Sequence, residues 1–158
     1  MKRLLAVAVL AFAATAAQFA SAQGSIADVT DMQALRDAVK TDKKAFVASK
    51  LALTPAEAKK FWPLYDQYQR ALMLVGQQRA VSLEGQLSRT EPMSNPYAKQ
   101  LAAASIAADD AEIRARHRLY NRLMRVLPPI KAARYLQIEA KIRAVRDYDL
   151  AAAIPLIH

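Results

Sequence analysis

The sequence predicts an all-α protein of four amphipathic helices packed as antiparallel hairpins. Apolar residues recur at steps of three and four through most of the chain, whereas the period-2 alternation of strands is scarce. Glycine occurs only three times in 158 residues, and the clearest turn signals lie in short proline-containing segments between the periodic stretches. Long helices with short connections pack as antiparallel neighbours, here as a thin layer with one face partly uncovered, so we expect either a homodimer or a client-binding groove on that face.

The first helix is predicted from about Asp31 to Lys50, with Thr30 as its N-cap. Its apolar stripe consists of Met32, Leu35, Val39 and Phe46. Its basic back consists of Arg36, Lys40, Lys43 and Lys44. Apolar and charged residues on opposite faces are typical of a helix that packs on a core.

The second helix is predicted to begin after Thr54 and to end near Ser88. Thr54 and Glu57 have the spacing of a capping box, in which each side chain bonds the other residue's backbone N–H. The seam facing a partner helix consists of Phe61, Tyr65, Tyr68, Leu72 and Val75. Pro63 lies inside this pattern and predicts a kink or a break, because proline removes one backbone hydrogen bond.

Residues 90–96, TEPMSNP, are predicted to form the turn before the third helix, which runs from about Pro96 to Leu127. The seam of the third helix consists of Ile106, Ile113, His117, Tyr120, Met124 and Leu127. Two prolines end this helix, and the fourth is predicted from about Pro129 to Ala152. The stripe of the fourth helix consists of Ile138, Ile142, Val145 and Tyr148.

The first 22 residues have the pattern of a secretory signal peptide. Lys2 and Arg3 form the charged start, an apolar run follows, and residues 20–22, Ala-Ser-Ala, match a cleavage site. The apolar run is short for a membrane span of about 20 residues, which disfavours a retained anchor. We therefore expect cleavage of residues 1–22 and a single helical domain of residues 23–158 in the periplasm.

The composition limits the function classes. The chain contains no cysteine, which excludes disulfides, thiol redox chemistry and thiolate metal sites. Losing Lys2 and Arg3 lowers the net charge from +9 to +7, which favours acidic proteins or an anionic membrane surface as partners, although the charge also suits a merely solvated surface. Export makes nucleic acid an unexpected partner. No nucleophile elbow or glycine-rich phosphate loop is present, so we expect no enzyme.

Two motifs, LTPAEAKKFWPLYDQYQ and YLQIEAKI, carry a resemblance. The motif residues are Leu53, Thr54, Glu57, Ala58, Phe61, Trp62, Pro63 and Tyr65, then Arg134, Gln137, Ile138, Glu139 and Lys141. They are similar to the LTXXQ-motif envelope proteins, the Spy/CpxP-like family, or to a close secreted proteobacterial relative, with Glu57 where that motif has glutamine. The capping geometry gives these residues a mainly structural role.

The resemblance implies a curved helical cradle, usually an antiparallel dimer, whose concave basic and apolar face holds unfolded clients without ATP. For the CpxP-like relatives it implies a stress protein that damps a sensor kinase. For the metal-sensor relatives it implies an ion site lined by His, Glu or Met.

A ladder of arginines is the densest basic patch of the chain. It consists of Arg114, Arg118, Arg122 and Arg125 at steps of four, four and three, with Lys131 and Arg134 nearby in sequence. Arginine forks bind carboxylates and phosphates, so the ladder is a candidate client-binding surface. The alternative is a solvated face partly paired with Asp109, Asp110 and Glu112.

Two further residues have alternative interpretations. Trp62 points about 100° away from Phe61 on the second helix, so it either covers a neighbouring helix or forms an exposed apolar anchor for a client. His117 falls on the predicted seam, and the only other histidine is His158. A metal site needs several ligands, so we expect a structural histidine and neither a metal nor another cofactor.

These observations predict an ATP-independent protein-binding module of the periplasm, chaperone-like or linked to envelope stress. Its expected partners are unfolded or acidic proteins. The alternative is a regulatory partner that inhibits an envelope stress sensor. Two other interpretations of the function are supported by fewer residues. One is a metal sensor, and the other is an anionic-lipid binder that makes weak contact with the membrane surface.

Overall fold

The computed structural model describes residues 32–157, of which 85% lie in four helices, with no strand in that range. The predicted all-α class is therefore confirmed. The helices are α1 (Met32–Leu51), α2 (Pro55–Leu87), α3 (Asn95–Leu123) and α4 (Pro129–Ala153). The predicted signal peptide lies outside the described residues.

The helices pack in two antiparallel pairs around one core. α2 lies against α3 and α1 lies against α4, while α3 and α4 share a smaller contact. The core contains Val47, Leu51, Phe61, Leu64, Tyr65, Tyr68, Ala115, Leu119, Leu123, Leu127, Ala132, Tyr135 and Ile138. These residues come from the end of α1, the start of α2, the end of α3 and the start of α4. The core therefore lies near the α1–α2 and α3–α4 connections.

α1 consists of two helical segments that meet at a kink. Asp42 has extended dihedral angles, φ −158° and ψ 95°, and its Oδ1 accepts a hydrogen bond from the N–H of Ala45 at 2.9 Å. This is N-cap geometry for the second segment. The buried residues are Leu35, Val47 and Leu51, whereas Met32 is exposed and Val39 and Phe46 are half-buried. The predicted α1 stripe is therefore only partly buried, because the kink changes the face that meets the core.

α2 begins with the predicted capping box and keeps the predicted seam. The N–H of Glu57 donates to Thr54 Oγ1 at 3.3 Å, and the N–H of Thr54 donates to Glu57 Oε2 at 2.7 Å. Leu72 is half-buried and the other four seam residues are buried. α2 continues through the exposed Pro63 to Leu87, so the predicted break is absent. Core packing on both sides of the proline offsets the lost backbone hydrogen bond.

α3 buries a different face from the one predicted. Its buried residues are Ala108, Glu112, Ala115, Leu119 and Leu123. Four residues of the predicted seam are exposed by 64% (Ile106), 41% (Ile113), 44% (Tyr120) and 40% (Met124). His117 is also exposed, and only Leu127, beyond the end of α3, is buried. The predicted seam was chosen from the largest apolar side chains of α3. The face that packs in the structure instead includes the small residues Ala108 and Ala115.

α4 follows its prediction more closely. Ile138 and Val145 are buried and Ile142 is half-buried, but Tyr148 is exposed. The predicted stripe is therefore correct for its first three residues and wrong at Tyr148. α4 extends past the end of the shared core, so its last turns have fewer neighbours to bury them.

The turn between α1 and α2 contains an alanine in the left-handed region. Ala52 has φ 46°, and its carbonyl accepts a hydrogen bond from Lys131 Nζ at 2.8 Å. This conformation costs alanine about 1 kcal/mol because its Cβ crowds the backbone, whereas glycine adopts it freely.

We therefore expect Ala52→Gly to raise the free energy of unfolding by about 1 kcal/mol. Urea denaturation measures the change. Ala144→Gly, at an exposed helical position of α4, is the matched control and should lower the same quantity by about 0.5–1 kcal/mol. A less stable Ala52→Gly variant would contradict the strain assigned to this turn.

Candidate binding surface

The four ladder arginines are exposed: Arg114, Arg118 and Arg122 lie in the C-terminal half of α3, and Arg125 lies in the turn just after it. No carboxylate lies within 4 Å of any of them in the part of the chain that the structure describes. Arg122 donates a hydrogen bond to the amide oxygen of Gln67 on α2, which is uncharged. The ladder is thus a row of positive charges that the fold does not neutralise by ion pairing.

Two of the acids expected to pair with the ladder have other partners. Glu112 accepts from Arg79 of α2 and from Arg146 of α4, both at 2.9 Å. Asp109 accepts from Arg79 at 2.6 Å. These acids point away from the ladder and toward the interior and the α2 side. The interpretation of the ladder as a paired, solvated face therefore loses the partners on which it depended.

An open cleft between α2 and α3 borders the ladder. It has a volume of about 320 Å³. Its lining includes the buried or half-buried Leu64, Tyr68, Ala71, Ala115 and Leu119. Exposed polar side chains, Gln67, Asn121, Arg118 and Arg122, complete the lining. The cleft combines an apolar floor with two guanidinium groups, so it suits a segment that carries both an apolar and an acidic side chain.

Trp62 lies on another side of α2. Its ring packs edge-on against Phe61, with centroids 4.9 Å apart, and against Tyr65 at 5.3 Å. Lys44 of α1 places its ammonium 5.1 Å from the Trp62 ring centre. Trp62 is half-buried, and at 100° per residue it lies about 140° around α2 from Gln67 at the cleft. The structure does not bring Trp62 together with the ladder, and Trp62 covers the α1–α2 contact.

Lys131 and Arg134 occupy different environments at the start of α4. Lys131 is half-buried and donates to Glu57 Oε2 at 2.7 Å as well as to Ala52. It thereby fastens α4 to the α1–α2 turn and to the capping box of α2. Arg134 is exposed, as is the motif residue Gln137, whereas Leu53 is half-buried. The Lys131 ammonium is thus already occupied by partners within the chain.

The Lys131 ammonium and the Thr54 N–H hold the pKa of Glu57 below its usual value of 4.5. A carboxylate with a lowered folded-state pKa contributes stability above its unfolded-state pKa and loses it as the pH falls through the folded-state pKa. We expect wild type to be more stable than Glu57→Gln at pH 7, and the difference to shrink as the pH falls below about 4.5.

Urea denaturation of both proteins between about pH 7 and pH 3 measures this difference. Glu84→Gln, at an exposed position of α2, is the control and should leave the stability unchanged at every pH. A difference between wild type and Glu57→Gln that does not depend on pH would contradict the ion-pair account.

A buried carboxylate network joins α1, α2 and α4. Glu139 is 5% exposed, and its oxygens accept from Lys43, from Gln69 and from the Tyr135 hydroxyl, each at 3.0 Å. Burial and the adjacent carboxylate raise the pKa of Tyr135. From the sequence, Glu139 was predicted only as a motif residue and Glu112 only as a surface acid beside the ladder. Their positions in phase with the apolar residues of α3 and α4 were the available signal.

Within residues 32–157, no three His, Cys, Asp or Glu side chains are grouped so that they could hold a metal ion. None of the helices described has the length and apolar character needed to cross a bilayer. Comparisons with protein-family models, curated proteins and solved structures find no match. The resemblance to the Spy/CpxP-like family therefore stays a prediction.

Proposed function

We propose that this chain binds unfolded or acidic polypeptides in the periplasm without ATP, as a chaperone-like module. The observation that carries the proposal is the ladder of four exposed arginines, free of ion pairs in residues 32–157, beside an apolar cleft. The periplasmic location rests on the signal-peptide pattern of residues 1–22, and binding instead of catalysis rests on the absence of catalytic motifs in the sequence.

Capture begins with long-range attraction in this proposal. Four guanidinium groups without ion pairs attract carboxylates over roughly the Debye length, about 10 Å at 0.1 M salt, and so speed encounter with an acidic chain. An arginine fork then binds a carboxylate through two hydrogen bonds. The first stage therefore selects acidic segments and weakens as salt is added.

The cleft provides the second contact. Its apolar floor, with Leu64 and Leu119, takes one apolar side chain of the client, and burial of such a side chain is worth about 1.5–3 kcal/mol. Each contact is weak, so the client leaves without an energy source. Trp62 has no part in this contact because it faces α1.

An aggregation assay tests the proposal. The mature chain, residues 23–158, is added to a chemically unfolded acidic model protein, and light scattering is followed without nucleotide. Suppression at a near-equimolar ratio, weakened at about 0.5 M salt, is the expected result. Unchanged scattering with a helical, folded sample would contradict the proposed function.

A further inference from the structure

One face of α3, continued by its C-cap Met124, carries a mostly apolar stripe that no other helix of residues 32–157 covers. We call it the outer stripe, and it consists of Ile106, Ile113, His117, Tyr120 and Met124, all exposed. The residues follow one another at steps of seven, four, three and four, the spacing of a seam between two packed helices, and the exposed Asp110 occupies the seam position between Ile106 and Ile113. The stripe covers 18 residue steps and is about 27 Å long, at 1.5 Å per residue.

The outer stripe lies on the far side of α3 from its packed face. At 100° per residue, its centre is about 130° around the helix from the buried face that contains Ala115 and Leu119. α2 and α4 contact that buried face through the partners of Glu112, namely Arg79 and Arg146. The stripe therefore has the pattern of a helix-packing seam but no partner helix among residues 32–157.

Positive charges flank the C-terminal part of the stripe on both sides, whereas Asp109 and Asp110 lie beside its N-terminal part. Arg114 and Arg125 of the ladder border one edge, about 100° from its centre, and Arg116 borders the other. None of these three arginines has a carboxylate within 4 Å in the described part of the chain. In helix pairs, the charges that flank the seam select the partner. The three arginines favour a partner with acidic residues opposite the C-terminal part of the stripe.

We propose that the outer stripe docks an amphipathic helix of a partner protein whose apolar seam is flanked by glutamate or aspartate. A second copy of this chain fits less well, because it would bring two arginine ladders together on the same seam. The proposal goes beyond the proposed function: it concerns a preformed helical partner on the outer face of α3, whereas capture of unfolded chains uses the cleft.

The test uses a synthetic peptide and the mature chain. The peptide has about 21 residues, with leucine at the seam positions and glutamate at the flanking positions of three heptads. Fluorescence anisotropy measures its affinity. We expect Ile113→Ser with Tyr120→Ser to weaken binding at least about tenfold, because both side chains lie at the centre of the stripe. The matched control, Leu74→Ser with Val81→Ser on the exposed face of α2, should change the affinity less than about twofold.

Three outcomes would overturn the proposal. The first is that the stripe variant binds the peptide as tightly as wild type does, while circular dichroism shows that both proteins are folded. If the double variant is unfolded, Ile106→Ser replaces it, because Ile106 is 64% exposed. Another is equal binding of a scrambled peptide of the same composition. The third is a wild-type dimer that the stripe variant loses in sedimentation, which would assign the stripe to a second copy. Failure of the proposed function is separate, because it appears in the scattering assay and not in peptide binding.

Discussion

Glu139→Ala is expected to lower the free energy of unfolding by about 2–4 kcal/mol, because it leaves a buried hydroxyl and a half-buried ammonium without their shared acceptor. The substitution leaves Lys43 without its carboxylate and removes the acceptor of the fully buried Tyr135 hydroxyl. Gln69 loses the same acceptor, so contacts with α1 and α2 weaken together. Urea denaturation followed by circular dichroism measures the loss.

Two comparison variants separate charge from hydrogen bonding at this position. Glu139→Gln keeps an oxygen that accepts from Tyr135, so it should cost less than the alanine variant. Glu84→Ala, at an exposed position of α2, should stay within about 0.5 kcal/mol of wild type. If Glu139→Ala were as stable as Glu84→Ala, Glu139 would not connect the helices as the structure indicates.

Reversing the charge of the ladder is expected to abolish client capture while leaving the fold intact. The variant replaces all four ladder arginines with glutamate: Arg114→Glu, Arg118→Glu, Arg122→Glu and Arg125→Glu. All four side chains are exposed. Within residues 32–157, Arg122 is the only one of them whose side chain makes a hydrogen bond, to Gln67. The helical circular dichroism spectrum should persist, and the concentration needed for half-suppression of scattering should rise at least about tenfold.

A second quadruple variant controls for net charge. Lys59→Glu, Lys60→Glu, Arg70→Glu and Lys99→Glu change the net charge by the same amount at exposed positions outside the ladder. This control should retain most of the capture, because its reversed charges do not border the cleft. Equal loss in both variants would mean that net charge, and not the ladder, determines binding.

The sequence was sufficient to predict the four helices and the capping box of α2. Helix ends followed from signals that act within a few residues, such as the Thr54–Glu57 pair and Pro129. The kink at Asp42 was missed because an aspartate inside a periodic stretch looks like a surface residue. Its capping bond to Ala45 depends on a local backbone conformation that periodicity does not encode.

The packed face of α3 was not predictable from the size of its apolar residues. Large side chains such as Ile113 indicated one face, whereas the structure buries Ala115 and Glu112. Glu112 is buried only because Arg79 and Arg146, from two other helices, meet it there. That arrangement depends on tertiary contacts between distant segments. The predicted seam was therefore wrong as the packed face of α3, and its exposed residues form the outer stripe for which we propose a helical partner.

The candidate binding surface was also predictable from the sequence only in part. The ladder was predictable because its residues share one face of one helix, a property of spacing alone. Its separation from Trp62 was not predictable, because it depends on which sides of α2 contact α1 and α3. A client-binding groove was expected, but the residues that line the cleft were not predictable, since they come from two helices that are joined by a turn and paired by the fold.

The measurement that tests the central claim most directly is chemical-shift mapping by NMR. Isotope-labelled mature chain is titrated with an unlabelled, unfolded acidic client at low salt. The account predicts that the largest amide shifts lie in residues 114–125, at the end of α3 and in the turn after it, and in residues 64–71 of α2. These two segments carry the ladder and line the cleft. Shifts concentrated on α1 around Lys44, or spread evenly over all four helices, would contradict it.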